Sequence, residues 1–239
     1  MSHKTMSVQL PLKINLRDDA SFETFVAEQE SIALVLSHLQ QHDNSRYAGC
    51  YYFFGESGAG KTHLLQAACR FYTQKQRQSV YFPLSNAALP LIPDVLNGLE
   101  ITDLVCLDDV DQIIGQADWE RSLANFLAKS RVLGHRVLLT GSADLIHWPV
   151  VTDELRRELV SIMPVHLSAL QGSRELVLAL QRHALYKGFE LPIEVGNFLL
   201  KRFSHDLQEL LVVLGLLEQA TLAEKRRLTL PFVKDVLAR

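Results

Sequence analysis

YYFFGESGAGKTHLLQAAC, residues 51–69, decides the fold. It opens on an apolar run of strand length. Gly55, Gly60, Lys61 and Thr62 then complete the spacing G-x-x-x-x-G-K-[ST]. From Lys61 onward Leu64, Leu65, Ala68 and Phe71 recur along one helical face, predicting a helix over 61–75. Glycines let a chain curl so that consecutive N–H groups point at an anion. A lysine at this position reaches the outer phosphates, and the threonine hydroxyl suits Mg²⁺. The spacing occurs by chance in about one chain in a hundred of this length. Here it also stands between a strand and a helix, the context it requires. The candidate nucleotide-binding loop is therefore Gly55, Glu56, Ser57, Gly58, Ala59, Gly60, Lys61 and Thr62, continued by His63.

Around this loop, apolar runs alternate with helical patterns. GCYYFF (49–54), SVYFP (79–83), DLVCLDD (103–109) and HRVLLTG (135–141) read as strands, and DWERSLANFLAKSRVLG (118–134) as a helix. Continuous apolar strands separated by helices predict a parallel sheet covered on both faces. After about residue 165 only helical patterns remain. Ser173 is the expected cap of a helix over 174–187 that stops at Gly188, and Pro192 suits the first turn of the next. A long helix over 205–225 is expected to break at Gly215, and Thr229 with Pro231 opens a last short one.

Two strand ends carry polar groups. Asp108 and Asp109 close the third strand: Asp108 is placed to hold Mg²⁺ beside Thr62, and Asp109 to polarise water. At the end of the fourth, Thr140 or Ser142 can set a hydroxyl near a terminal phosphate.

Composition narrows the function classes. The 239 residues carry a formal net charge of −3, with 48% hydrophobic content. That is enough for one α/β domain and a small helical one, and the charge gives no support for a protein that coats DNA. Cys50, Cys69 and Cys106 lie in apolar runs without metal-ligand spacing, as expected of buried thiols in a reducing cytoplasm. No apolar run approaches the ~20 residues that span a bilayer, and the N-terminus lacks a signal-peptide core, so a cytoplasmic protein with no membrane partner is expected.

Taken together, the P-loop, the acidic strand end, the polar strand end and the helical tail resemble an AAA+ module. GAGKTHLLQAA, LVCLDDV and FETFV (22–26) are similar to the replication initiator DnaA. GFELPIEVGNFLLKRF (188–203) and RRLTLPFVKDVLAR (226–239) resemble the lid of the Hda family, the DnaA-related regulators without the initiator's DNA-binding domain. The resemblance covers nearly the whole chain. It implies an α/β AAA+ P-loop NTPase module, a parallel five-stranded sheet flanked by helices, with a C-terminal all-helical lid. The divisions would be 1–20 as an extended clamp-binding segment, 21–167 as the nucleotide-binding domain and 168–239 as the lid. Phe22, Phe25 and Val26 would hold adenine. Gln9, Leu10, Leu12 and Ile14, within VQLPLKINLRDD (8–19), would anchor a strand-like peptide in an apolar groove of the DNA polymerase III sliding clamp. ADP (or ATP) and Mg²⁺ are the implied cofactors. DnaA and the clamp (beta subunit) are the implied partners, DNA being met mainly through the clamp. A homodimer that hides the clamp peptide stays open.

Three positions depart from the family pattern. Glu158 falls where an arginine finger is expected, with Arg156 and Arg157 just before it; one residue is about 100° of helix rotation, so Arg157 substitutes only if the helix is shifted. Gln208 stands where the lid usually offers an arginine to the nucleotide, keeping a donor but losing the charge. Lys13 replaces a proline that would favour extension of the clamp peptide. The first two departures favour a protein that holds ADP and activates DnaA's hydrolysis, limiting re-initiation of replication, with weak hydrolysis of its own, while Lys13 implies a weaker grip on the clamp. The competing reading is an autonomous AAA+ ATPase acting as a loader or remodeller. A DNA-binding initiator finds no support in the acidic balance.

Overall fold

The computed structural model describes residues 19–27, 29–41, 49–85 and 91–238. Five strands form one sheet: β1 (Cys50–Phe54), β2 (Ser79–Pro83), β3 (Leu104–Asp108), β4 (Arg136–Gly141) and β5 (Ile162–His166). Every pairing is parallel, in the order β2-β3-β4-β1-β5. Helices α1 (Glu30–Gln40), α2 (Lys61–Gln74), α3 (Ala117–Leu133) and α4 (Asp153–Leu159) accompany it.

The apolar strand runs divide between two cores with the period of a pleat. Tyr51 and Phe53 of β1, Leu104 and Cys106 of β3 and Leu138 of β4 pack with Leu64, Leu65, Ala68 and Cys69 of α2. Their alternate neighbours Tyr52, Val105, Leu107, Val137 and Leu139 pack with Trp119, Leu123, Phe126 and Leu127 of α3. Cys69 and Cys106 are buried thiols and Cys50 is half-buried.

Beyond β5 a separate cluster forms from α5 (Ser173–Tyr186), α6 (Ile193–Arg202), α7 (Leu207–Glu224) and α8 (Leu230–Val236). Leu176, Leu180, Val195, Leu199, Leu210, Leu214 and Phe232 are its buried centre. Three expectations change in detail. Ser173 is the first helical residue of α5, with Gly172 before it at the cap. Pro192 sits at the cap of α6 instead of inside its first turn. α7 runs unbroken through Gly215. One glycine costs a helix interior only about 1 kcal/mol, less than the burial of Leu210, Val213, Leu214 and Leu217 on the same helix returns. Among the described residues no helix is long and apolar enough to cross a membrane.

Candidate phosphate-binding site

β1 ends at Phe54, and the chain leaves the sheet through Gly55. A Cβ there would lie 2.0 Å from the carbonyl oxygen of Leu167, so only glycine lets the loop pass this close to the chain after β5. Gly58 and Gly60 have φ of +81° and +85°, which glycine adopts without strain. Gly60 caps α2, whose first N–H groups have no partner within the helix and form an anion site at the positive end of its dipole. The Lys61 ammonium lies inside the curl and donates to the carbonyls of Gly55 (2.7 Å) and Glu56 (2.8 Å). Phosphate oxygens at the loop would compete with those carbonyls for the same three hydrogens.

Thr62 donates its hydroxyl to Asp108 Oδ2 at 2.8 Å. Asp108 is buried at the end of β3 and also accepts from Tyr81 (2.7 Å) and from Thr140. The next residue, Asp109, turns left-handed at φ +57°, ψ +48°, a conformation aspartate tolerates better than most residues. That turn sends the two acids in different directions. Asp108 points down onto Thr62, while Asp109 lines the cavity above the loop and accepts from Ser85 at 2.7 Å.

The cavity measures about 490 Å³, within the range of small-molecule sites, about 300–1,000 Å³. The whole loop Gly55 to Thr62, with His63, forms its floor. Phe25 and Val26 stand on one side; Leu170, Ala179 and His183 and, from α7, Leu207, Gln208 and Leu211 close the other. Arg182 of α5 ties the walls together by donating to the Phe25 carbonyl at 2.5 Å. His63 Nε2 lies 3.1 Å from both Thr24 Oγ1 and the Ser21 carbonyl, fixing the segment that carries Phe25.

Two expected residues are not on this wall. Phe22 packs edge-on against Phe71 of α2, ring centroids 5.6 Å apart, and so belongs to the core beneath. Thr140 is fully buried, its oxygen donating to Asp108 and accepting the Asp109 N–H at 2.9 Å. It braces the acids, and Ser142, two residues on, is the hydroxyl residue that reaches the cavity. Gln208 of the lid lines the site as expected. Gln9, Leu10, Leu12, Lys13 and Ile14 lie outside the described residues.

On α4 the three finger candidates have different surroundings, and none lines the cavity. Glu158 is half-buried and pairs with Arg131 of α3 at 2.9 Å. Arg156 donates to the Val150 carbonyl at 2.6 Å. Arg157 is exposed and tethered through Nε to the Asp153 carbonyl at 3.2 Å. Among the described residues no acceptor engages its terminal nitrogens.

A residue no motif announced sets the entry to α4. Glu120, fully buried in the first turn of α3, accepts the N–H groups of Gly115 (2.8 Å), Val151 (3.0 Å) and Thr152 (2.8 Å) and the Thr152 hydroxyl (2.8 Å). Burial pushes its pKa up, but the donors from Gly115, Thr152 and Val151 outweigh it and hold the carboxyl below its ordinary range.

The donor set fits a Mg²⁺–polyphosphate ligand. Mg²⁺ takes one or two protein oxygens and keeps waters and phosphate oxygens for the rest, and Thr62 with Asp108 supplies hard oxygens beside the loop. The loop N–H groups and Lys61 supply the positive side.

Comparison with known proteins places this geometry. The family model for the bacterial DnaA ATPase domain matches residues 16–89, and that for the Hda lid domain matches residues 174–237. A Haemophilus influenzae protein described as uncharacterized is 35% identical over 234 residues, covering 97% of this chain and 99% of that one. Domain III of the Thermotoga maritima replication initiation protein DnaA superposes with a TM-score of 0.70 at 20% identity, over 94% of this chain and 98% of that one. A replication initiator DnaA bound to AMPPCP and single-stranded DNA gives 0.67 at 20% identity, over 88% and 69%. A parallel P-loop sheet, a DnaA-type nucleotide domain and a lid of Hda type on one chain make this protein a member of the Hda-like, DnaA-related AAA+ family.

Proposed function

We propose that the chain is a regulator of the initiator: it holds ADP with Mg²⁺ in its own loop, docks on the DNA-loaded sliding clamp through residues 9–14, and stimulates hydrolysis of ATP bound to DnaA. In its own site, Lys61 and the first N–H groups of α2 bind the phosphates. Thr62 and Asp108 hold the metal, and Phe25 and Val26 flank the base. The metal, when bound, neutralises phosphate charge. Asp109 is the candidate to orient a water, and Gln208 offers the lid's uncharged contact.

The observation that carries the reading is the split on α4. Glu158 is turned into an ion pair with Arg131, while Arg157 presents its terminal nitrogens to solvent. An arginine that the chain does not use on its own cavity is free to reach the nucleotide of a neighbour, where such a finger is worth about 10³–10⁵ in rate. The family match supports the partner, and the AMPPCP carried by a structural neighbour supports a nucleotide in the cavity.

The test follows DnaA-bound ATP on clamp-loaded DNA, with this protein supplied in ADP, either whole or without residues 1–14. Stimulation that needs both the clamp and the N-terminal residues is the expected result. The competing reading is favoured by the complete set Lys61, Thr62, Asp108 and Asp109. It predicts sustained turnover by the isolated protein, and such turnover without effect on DnaA would replace the regulatory assignment.

A further inference from the structure

Asp108 stands in unusual company. A carboxylate offers about four lone-pair positions, and three hydroxyl donors converge here: Thr62 and Tyr81 on Oδ2, Thr140 on Oδ1. Thr62 and Thr140 lie on the loop helix and the adjoining strand. Tyr81 comes from β2, at the sheet's edge, and nothing in the loop motif calls for it. The register explains its reach. Pro83 pairs with Asp108, and Tyr81 lies two residues earlier, about 6.6 Å along the strand. A phenol laid along the α2 face covers that distance. The Tyr81 hydroxyl donates to Asp108 Oδ2 at 2.7 Å, and an ionised carboxylate can only accept. Gln66, buried on α2, hydrogen-bonds to the same phenol, and a donor on the phenol oxygen strengthens the bond that the phenol gives onward.

We infer that Gln66 and Tyr81 form a relay that tempers the metal site: by donating to Asp108 Oδ2 the phenol turns the carboxylate onto Thr62 and withdraws charge from the position a divalent cation would occupy. Tyr81 is thus a positioning residue whose target is the cation that accompanies the nucleotide. The inference rests on the nucleotide–Mg²⁺ reading of the cavity. It goes beyond that reading by assigning the strength of the metal contact to a residue of the edge strand. A weakened contact suits a site that retains a nucleotide without turning it over.

The test measures ADP affinity of the full chain by calorimetry, first in EDTA and then across a Mg²⁺ series, for wild type, Tyr81→Phe and Gln66→Met. Mn²⁺ binding to each ADP complex is followed by electron paramagnetic resonance. Tyr81→Phe removes one oxygen from a packed ring, and a thermal melt confirms folding. The expected result is unchanged affinity in EDTA with a roughly three- to tenfold tighter Mg²⁺ or Mn²⁺ interaction, less than the full worth of one charge-assisted hydrogen bond because Thr62 and Thr140 still hold the carboxylate. Gln66→Met shifts the same way by less. In an Asp108→Asn background the Tyr81 effect vanishes. Metal dependence that is unchanged or weaker in Tyr81→Phe overturns the inference, as does an equal loss in EDTA and Mg²⁺, which marks Tyr81 as packing alone. If wild type itself takes no ADP in either condition, the nucleotide reading fails first and the relay falls with it.

Discussion

Replacing Glu120 with glutamine tests how the surface carrying Arg156 and Arg157 is held. The carboxylate collects three backbone N–H groups and one hydroxyl, all within 3.0 Å, in a fully buried position. Glutamine keeps the shape but has one acceptor oxygen. If that oxygen takes the Oε2 place, facing Val151 and Thr152, the amide nitrogen faces the Gly115 N–H, donor against donor. The cost is one charge-assisted bond lost and one buried donor unsatisfied, together about 2–3 kcal/mol. For a chain of this size that lowers Tm by roughly 4–12 °C. The sign of the pH dependence follows from the lowered pKa. The folded carboxyl titrates below the ordinary value of 4.5, so its contribution is complete above that value and is lost as pH falls through the folded pKa. The gap between wild type and Glu120→Gln should therefore be full at pH 7 and shrink on acidification below pH 4.5. The assay is a set of thermal or denaturant melts from pH 7 down to pH 3.5. Equal melting at pH 7, or a gap that does not depend on pH, would refute the argument that these donors stabilise an ionised group.

Four further outcomes are expected. Gly55→Ala should destabilise the loop by more than about 2 kcal/mol, because its Cβ would meet the Leu167 carbonyl at 2.0 Å; a melt within 2 °C of wild type would argue against that close approach. Lys61→Ala should weaken ADP binding at least about tenfold with little change in Tm, read by calorimetry, since its ammonium bonds only to loop carbonyls among the described residues. Arg157→Ala should leave ADP binding intact and remove stimulation of DnaA-bound ATP hydrolysis by about 10³-fold or to background; retained stimulation in the double Arg156→Ala, Arg157→Ala variant would end the finger assignment. Arg182→Ala should loosen the link between α5 and Phe25, raising the ADP dissociation rate severalfold in a fluorescent-nucleotide chase, about the effect of one hydrogen bond of ~1 kcal/mol.

How much of this was legible in the sequence depended on how local the cause was. β2 is expected at 79–83 and forms at those residues, because a short run rich in β-formers directly after a polar helix end has few alternatives. The loop and its helix follow from glycine and lysine at fixed offsets. Where the outcome rests on contacts between distant segments, the sequence was silent or misleading. Phe22 and Phe25 share one motif-like string, but the turn over 21–24 sends the first into the α2 core and the second to the cavity. Thr140 and Ser142 both end a strand. Only the three-dimensional placement of Asp108 and Asp109 shows that the first hydroxyl is consumed as a brace. Gly215 reads as a break because local propensity cannot weigh the lid core that carries the helix through. Glu120, Tyr81 and Arg182 carried no spacing signal at all, since their partners lie 31, 27 and 157 residues away.

The tie between Arg182 and the Phe25 carbonyl has a mechanical consequence. The segment from Asp19 to Phe25 is fastened at both ends: Asp19 lies against His183 at 3.5 Å, and Phe25 is gripped by Arg182, both on α5. Ile14, the last of the proposed clamp anchors, stands five residues upstream of Asp19, a leash of at most about 18 Å. A partner that seizes residues 9–14 is therefore obliged to sit beside the cavity. A pull along that leash would pass to α5 through Asp19 and Phe25, so the proposed docking and the proposed hold on the nucleotide would share one lever.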